Sequence, residues 1–349
     1  MTVTIGRTPV GPGAPCFVIA ELSGNHNGDL ARAIATVQAA KAAGAHAIKL
    51  QTYTPDTITI RSDRADFVVP GNGPWGGRTL YDLYQEAHTP WAWHERLFAE
   101  AASVGLEIFS SPFDETAVVL LESLGAPAYK IASFELVDDR LLRRVAATAK
   151  PVVLSTGMAN VEEIAHAIGV LRAAGCRDLV LLKCTSSYPA PDSGMNLAGM
   201  SALATIGQCP VGLSDHSLGI VAPIVAVTLG ASVIEKHFTL DRAAGGVDSH
   251  FSLEPAEFQA MADAVARAEV MIGHPSFGPG LAEEANVTFR RSLYVVSDVA
   301  RGDLLTADNV RSIRPGFGLS PRHASVVIGR RAAREAPRGT PVTWELIAP

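Results

Sequence analysis

Two histidines follow short apolar runs in this sequence. His216 comes after the apolar run 210–213, and His237 comes after the run 233–234, with a long apolar stretch between them. Parallel strands joined by a helix place their C-terminal ends on the same side of a sheet, so both imidazoles can face one cavity. Two neutral imidazoles with open positions suit a divalent first-row ion. The pattern predicts that the two histidines bind one metal ion. The alternative is that they are two ordinary histidines at strand ends.

Cationic and hydroxyl side chains occur at similar positions along the chain. The lysines are Lys49, Lys130, Lys183 and Lys236, and the serines are Ser111, Ser133, Ser155, Ser186 and Ser214. Because strand residues alternate between two faces, only some of these lysines can point into a common interior. Lysines among hydroxyl donors predict a site for a phosphorylated or carboxylated ligand. The candidate acids and bases near the same rim are Glu21, Glu135, Asp215 and Asp248.

The elements that must hold these residues repeat with a regular period. Apolar strand-like runs alternate with helical patterns through eight units, and the final helix is expected at 255–272. The runs are continuously apolar, as in strands buried on both faces. This period predicts a (β/α)8 TIM barrel with its active site at the C-terminal strand ends. A doubly wound open sheet is the alternative, but no GxGxxG follows the first strand.

The period ends after residue 273, which predicts two domains. Residues 1–273 are expected to form the barrel, with a long polar insertion at 53–89 as a lid or binding loop. Residues 274–288 contain several Pro and Gly and are predicted to be a linker. Residues 289–349 are predicted to form a small β-rich domain, which is too short for a large core and is expected to dock on another surface.

Composition narrows the class of protein. The chain has 349 residues, 48% of them hydrophobic and 18% charged, with a formal net charge of −6. The negative charge argues against nucleic acid and anionic membranes as primary partners. The four cysteines form no CxxC pair, and no signal peptide is evident, so we expect a cytoplasmic protein with reduced thiols.

Several motifs resemble the sialic acid synthase family in the same order along nearly the whole chain. They are AELSGNHNG (20–28), IKLQT (48–52), YKIAS (129–133), LSTGM (154–158), GLSDH (212–216) and EKH (235–237). RPG at 314–316 resembles the family's C-terminal antifreeze-like (SAF) domain. Within the family, LQTYTPDT (50–57) and FSSPFD (109–114) look most similar to the pseudaminic acid synthase branch, and the neuraminate and legionaminate branches are the alternatives.

The resemblance implies condensation of phosphoenolpyruvate with an open-chain N-acetylated amino sugar. It implies Mn²⁺ or Mg²⁺ on His216 and His237, with Glu21 as a carboxylate near the reacting carbon. The positions that match the family's phosphoenolpyruvate site are Lys49, Ser111, Lys130, Ser133, Ser155, Ser186 and Ser214. Those that match sugar-contacting positions are Gln51, Glu135, Tyr188, Asp248 and Arg314.

The resemblance also implies a domain-swapped homodimer, in which Arg314 reaches the sugar pocket of the other subunit. Two functions from other classes remain open at this point. A metal-dependent barrel aldolase or isomerase would release no phosphate. A non-catalytic sugar-binding protein would bind sugar without metal dependence.

Overall fold

The computed structural model describes residues 1–71 and 73–348 and begins with a short antiparallel hairpin. Strand β1 (Val3–Ile5) pairs with β2 (Thr8–Val10) in this hairpin. A closed barrel of eight parallel strands follows, so the predicted fold class is confirmed. The barrel strands are β3 (Phe17–Glu21), β4 (Ala47–Thr52), β5 (Glu107–Pro112), β6 (Tyr129–Ile131), β7 (Val152–Ser155), β8 (Leu179–Cys184), β9 (Val211–Asp215) and β10 (Val233–His237). Strand β10 pairs with β3 and closes the barrel.

Most helices connect the strands on the outside of the barrel, and two lie within the insertion between β4 and β5. The helices are α1 (Leu30–Ala42), α2 (Pro55–Ile58), α3 (Leu80–Ala87), α4 (His94–Ser103), α5 (Glu115–Ser123), α6 (Asp139–Ala146), α7 (Val161–Ala173), α8 (Gly199–Gly207), α9 (Val221–Thr228) and α10 (Pro255–Ile272). Side-chain caps fix the starts of several helices, as Asp29 does for α1, Asp114 for α5 and Asn160 for α7. Within the described residues, no helix combines the length and apolar character needed to cross a lipid bilayer.

The barrel interior has an apolar lower half. Alternate strand residues such as Phe17, Ile19 and Phe109 point inward and pack together there. Val3 and Ile5 of the hairpin join the same buried cluster, so the hairpin closes the N-terminal end of the barrel. The sequence analysis did not predict this hairpin.

A larger cluster of buried residues lies between the strands and the surrounding helices. Its members on β4, Ile48 and Leu50, alternate with the inward-facing residues of that strand. Burial on both faces is the reason that the strand sequences lack a polar–apolar alternation over most of their length.

The chain divides into two compact units, Met1–Gly273 and His274–Pro349. The second unit contains an antiparallel pair, β11 (Ser292–Val295) with β12 (Val310–Ile313), and a short helix, α11 (Ala324–Val327). Isolated bridges such as Val299 to Ala336 surround a small apolar core.

Candidate active site

Polar side chains line the upper half of the barrel interior, above the apolar layer. Each lies two residues, or four in the case of Gln51, beyond an inward-facing apolar residue or glycine, so strand alternation turns it inward as well. They are Glu21 of β3, Lys49 and Gln51 of β4, Ser111 of β5, Lys130 of β6, Ser155 of β7, Ser214 of β9 and Glu235 of β10. The structure therefore brings most of the predicted strand-end residues into one cavity at the carboxyl ends of the strands.

A buried network of two lysines and two carboxylates forms the floor of this cavity. Lys49 Nζ lies 2.6 Å from Glu21 Oε2 and 3.9 Å from Glu235 Oε1, and Lys130 Nζ lies 3.6 Å from the same Glu235 oxygen. Burial alone would lower the pKa of Lys49, but Glu21 and Glu235 raise it above its usual value. Lys49 is therefore a fixed cation, suited to an anionic ligand.

Hydroxyl groups extend this anion site around the barrel. Ser111 Oγ accepts a hydrogen bond from Lys49 Nζ at 3.2 Å, and Ser214 Oγ donates one to Glu235 Oε1 at 2.9 Å. The hydroxyl of Ser155 is buried and has no hydrogen-bonding partner in the described chain. A buried hydroxyl costs free energy when it is unpaired, so a ligand that accepts from it gains affinity.

Gly157 allows the backbone to approach the same group of hydroxyls. Its N–H donates to Ser133 Oγ at 3.0 Å. A Cβ at this position would lie 2.7 Å from Ser133 Oγ and would also collide with Ser186. The glycine therefore permits Ser133 and Ser186 to converge on one side of the cavity.

The two histidines face each other beside the anion site. The ring centroids of His216 and His237 are 5.3 Å apart. His216 Nδ1 lies 3.1 Å from the Thr185 carbonyl oxygen; a donated proton there leaves Nε2 with a free lone pair. His237 Nδ1 is buried and unpaired among the described residues. Burial, His216 and Lys49 hold the pKa of His237 well below its usual value, so this ring is neutral.

Burial alone would lower the pKa of His216, but its contact with Cys184 raises it above its usual value. In their deprotonated forms, imidazoles with unused nitrogens fit a divalent first-row metal ion, and metal binding releases the proton. Within the residues described, no group of three or more His, Cys, Asp or Glu side chains is arranged to hold a metal. The histidine pair would therefore need oxygen ligands from substrate and water to complete a coordination shell.

A second set of polar groups lies on the other side of Glu21. Gln51 Nε2 donates to Glu21 Oε1 at 3.0 Å and to Ser23 Oγ at 3.1 Å, and Ser23 donates in turn to Asp248. Burial raises the pKa of Asp248. Tyr188 packs on His216 with ring centroids 4.3 Å apart. Gln51, Tyr188 and Asp248 thus border the cavity that the histidines share.

Glu135 lies in a 3-10 turn that follows β6, and one of its oxygens, Oε2, is buried without a partner in the described chain. Burial raises the pKa of Glu135 from its ordinary value of 4.5 to about 7. The native protein therefore holds this proton more tightly than the unfolded chain does. The contribution of Glu135 to stability is present below pH 4.5 and is lost as the pH rises through 7.

We expect Glu135→Gln to reduce the pH dependence of stability. In the wild type, the free energy of unfolding should fall between about pH 4.5 and about pH 7.5. In the variant this fall should be smaller, by up to about 3 kcal/mol. Urea unfolding at several pH values measures this difference. Glu162→Gln, on an exposed position of α7, is the control and should keep the wild-type slope. An unchanged slope for Glu135→Gln would contradict the assignment.

Strand alternation removes three of the strand-end candidates from the cavity. Lys236 Nζ lies 2.6 Å from Asp215 Oδ2, and both side chains are on the outer face of the barrel. Lys183 also points outward, toward Gly199 at the start of α8. The expectation that Asp215 could act as an acid or base in the cavity is therefore wrong.

The sequence analysis missed two residues in the cavity. Glu235 was overlooked, although it stands two positions before His237 on the same face of β10, and that spacing was the available signal. Cys184 lies with its Sγ 3.9 Å from His216 Nδ1, and no sequence signal distinguished it from the other cysteines. All four cysteines are free thiols.

The remaining predicted residue, Arg314, belongs to the second unit. It is exposed and directly follows β12. The hydroxyl of Ser292 donates to the carbonyl of Pro315 at 2.6 Å, which fixes the loop that carries this arginine.

Comparisons with known proteins agree with this geometry. The NeuB family model matches residues 36–276, and the SAF domain model matches residues 290–348. Pseudaminic acid synthase of Campylobacter jejuni is 46% identical over 91% of this chain and 93% of its own length, and that of Helicobacter pylori is 42% identical over 94% and 97%. The crystal structure of a sialic acid synthetase from Leptospira borgpetersenii is 31% identical, with a TM-score of 0.73 over 82% of this chain and 95% of that one.

Proposed function

The chain belongs to the NeuB family, and on that premise we propose that it is a pseudaminic acid synthase. The reaction condenses phosphoenolpyruvate with 2,4-diacetamido-2,4,6-trideoxy-L-altrose and releases pseudaminic acid and phosphate. One observation carries the choice of branch: relatives from two genera that bear this name are 42% and 46% identical to more than nine-tenths of the chain. The buried lysines and converging serines support an anionic substrate of this kind.

We assign the anionic half of the site to phosphoenolpyruvate. Lys49 and Lys130 offset the negative charge of its phosphate and carboxylate groups in a cavity that excludes most water. The serine hydroxyls that we assign to this part of the site are those of Ser111, Ser133, Ser155, Ser186 and Ser214. Because these donors come from separate strands and loops of one barrel, they hold C3 of the substrate in a defined orientation.

His216 and His237 would hold Mn²⁺ or Mg²⁺, which when bound supplies Lewis acidity at the aldehyde oxygen of the sugar. C3 of phosphoenolpyruvate forms the new carbon–carbon bond with the aldehyde carbon. Water then adds at C2, and phosphate leaves with cleavage of its C–O bond. We assign the positioning of this water to Glu21, which contacts Lys49 and Gln51.

We assign the sugar to the side of the cavity bordered by Gln51, Glu135, Tyr188 and Asp248. These side chains offer amide, carboxyl and phenol groups to the hydroxyl and acetamido groups of an open-chain sugar. The four free cysteines are consistent with a reducing compartment, and we place the reaction in the cytoplasm.

Turnover of a panel of sugars tests the function. The protein is incubated with phosphoenolpyruvate, Mn²⁺ and one sugar, and both phosphate and 2-keto acid are measured. We expect the highest kcat/KM for the trideoxy-L-altrose sugar. A higher value for N-acetylmannosamine or for the legionaminate precursor would move the chain to another branch. Product without phosphate release would indicate an aldolase, and sugar binding without turnover a binding protein.

We further propose that the active site is completed by Arg314 of the partner subunit in a swapped homodimer. A small domain gains stability by docking. The stretch from 274 to 283, which precedes it, is exposed and carries neither helix nor strand. An arginine in a Pro-Gly loop offers a permanently charged fork of five donors to an acetamido carbonyl.

Mixing two inactive variants tests this arrangement. We expect Arg314→Ala chains combined with His216→Ala chains to recover about a quarter of wild-type activity after subunit exchange, since half of the dimers then carry one intact site. Phosphate release is measured before and after exchange, and the dimer is verified by light scattering. No recovery after verified exchange, or a fully active monomer, would contradict the swap.

A further inference from the structure

A cluster of aromatic rings includes the two candidate metal ligands. Phe251 lies at its centre, with its ring centroid 4.7 to 6.2 Å from those of His216, His237, His250 and Tyr188. Trp75, which comes from the insertion at 53–89, lies at the edge of the cluster, with its ring centroid 5.6 Å from that of Tyr188 and 6.1 Å from that of His250. Tyr188 packs in turn on His216, so Trp75 adjoins the side of the cavity that we assign to the sugar.

The indole of Trp75 is held in place by contacts that use its only polar atom. Its Nε1 donates to the Val247 carbonyl oxygen at 2.8 Å. The ring packs against a small buried cluster of Leu83, Ala87 and Val247, with Val69 beside it. The side chain remains partly exposed. The exposed part of the indole beside Tyr188 is therefore an apolar aromatic surface with no free donor or acceptor.

Such a surface distinguishes sugars by their substituents. A hydroxyl placed against the ring would lose its water partners and gain none, which costs free energy. A methyl group, or the methyl of an acetamido group, buries apolar area on the ring. The trideoxy diacetamido sugar replaces one hydroxyl by hydrogen and another by an acetamido group, relative to N-acetylmannosamine.

We propose that Trp75 is a specificity-determining residue whose indole forms an apolar wall of the sugar pocket. The wall favours deoxygenated, acetamido-bearing sugars over fully hydroxylated ones. This inference rests on the proposed function, because that function defines where the sugar binds. It gives the insertion a part in substrate choice, a role different from that of the residues that bind phosphoenolpyruvate.

Kinetics of Trp75→Ala and Trp75→Phe with two sugars test the wall. We expect Trp75→Ala to lower kcat/KM for the trideoxy-L-altrose sugar by about 10- to 100-fold, mainly through KM, because such a pocket contact discriminates by that factor. The kcat/KM for N-acetylmannosamine should fall far less, so the ratio of the two kcat/KM values decreases. Trp75→Phe should keep most of the ratio, and the KM for phosphoenolpyruvate should stay unchanged.

Val69→Ala is the matched control, because it loosens the same cluster without removing the indole. It should affect both sugars equally. Equal losses for both sugars in Trp75→Ala, or a fall in the ratio as large in Val69→Ala, would overturn the proposal.

Binding of the reduced sugars separates this result from a failure of the proposed function. If the wild type prefers N-acetylmannosamine in turnover, the branch assignment fails. Calorimetry with the two alditols then still tests the wall, because Trp75→Ala should weaken binding of the deoxy diacetamido alditol more than binding of the other. Equal weakening, or no binding of either alditol to the wild type, would overturn it.

Discussion

Replacing His216 or His237 with alanine is expected to lower kcat by about 1,000-fold or more, because a Lewis-acid ion contributes several kcal/mol to such a reaction. The two rings lie next to each other, with centroids 5.3 Å apart, and each has a ring nitrogen available for a ligand. Loss of either imidazole leaves too few protein ligands to retain a divalent ion. Chelation by EDTA should have the same effect on the wild type, and added Mn²⁺ should restore activity.

Phosphate release and metal content, measured on the same samples, test this expectation. His166→Ala is the control: that side chain is exposed on α7 and pairs with Asp139 at 2.8 Å, away from the cavity. It should retain activity within about threefold of the wild type, as surface substitutions usually do. Circular dichroism should show that the His216 and His237 variants still fold. Full activity in a verified metal-free sample would rule out the metal assignment.

Lys49→Met is expected to lower kcat/KM for phosphoenolpyruvate by about 1,000-fold, since charge-assisted contacts to a buried anion contribute several kcal/mol. Lys49 is the cation that touches both Glu21 and Glu235 and also donates to Ser111. Its loss removes a positive charge from the anion site. It also leaves Glu21 without its ion-pair partner, which weakens substrate binding further by repulsion.

Lys183→Met is a matched control for this variant. Lys183 lies near the carboxyl end of β8, four strands away from Lys49 around the barrel, and points toward α8. It should keep kcat/KM within about threefold of the wild type. Because breaking a buried ion pair costs about 3–5 kcal/mol, thermal unfolding of Lys49→Met must be measured alongside its kinetics. A folded Lys49→Met enzyme with normal kcat/KM, or equal losses in both variants, would refute the anion-site assignment.

The barrel could be predicted from the chain because its signal is local and repeated. Continuous apolar runs such as 179–182 can be buried on both faces, and helical patterns between them supply the crossovers. The family could be recognised because short motifs occur in the same order, and both family models later matched. The positions of Lys49, Lys130 and Ser214 at strand ends followed from the same period.

The direction of each side chain required the paired strands. The apolar runs in the sequence end at residues 213 and 234, but the strands are longer. Strand β9 continues to Asp215 and β10 continues to His237. One residue of register decides whether a side chain faces the cavity or the helices. Register therefore places Glu235 inside the site and the Asp215–Lys236 ion pair outside it.

Contacts between distant segments also depended on the folded chain. The hairpin at residues 3–10 covers one end of the barrel because Val3 and Ile5 join the buried cluster that includes Phe17, an association that no local pattern encodes. Trp75 meets Tyr188 and Val247 only after the insertion folds back over the strand ends. Sequence patterns report the structural preferences of residues that are close together in the chain. These contacts join residues that are far apart in the chain, and they form because burial of apolar surface stabilises the folded state.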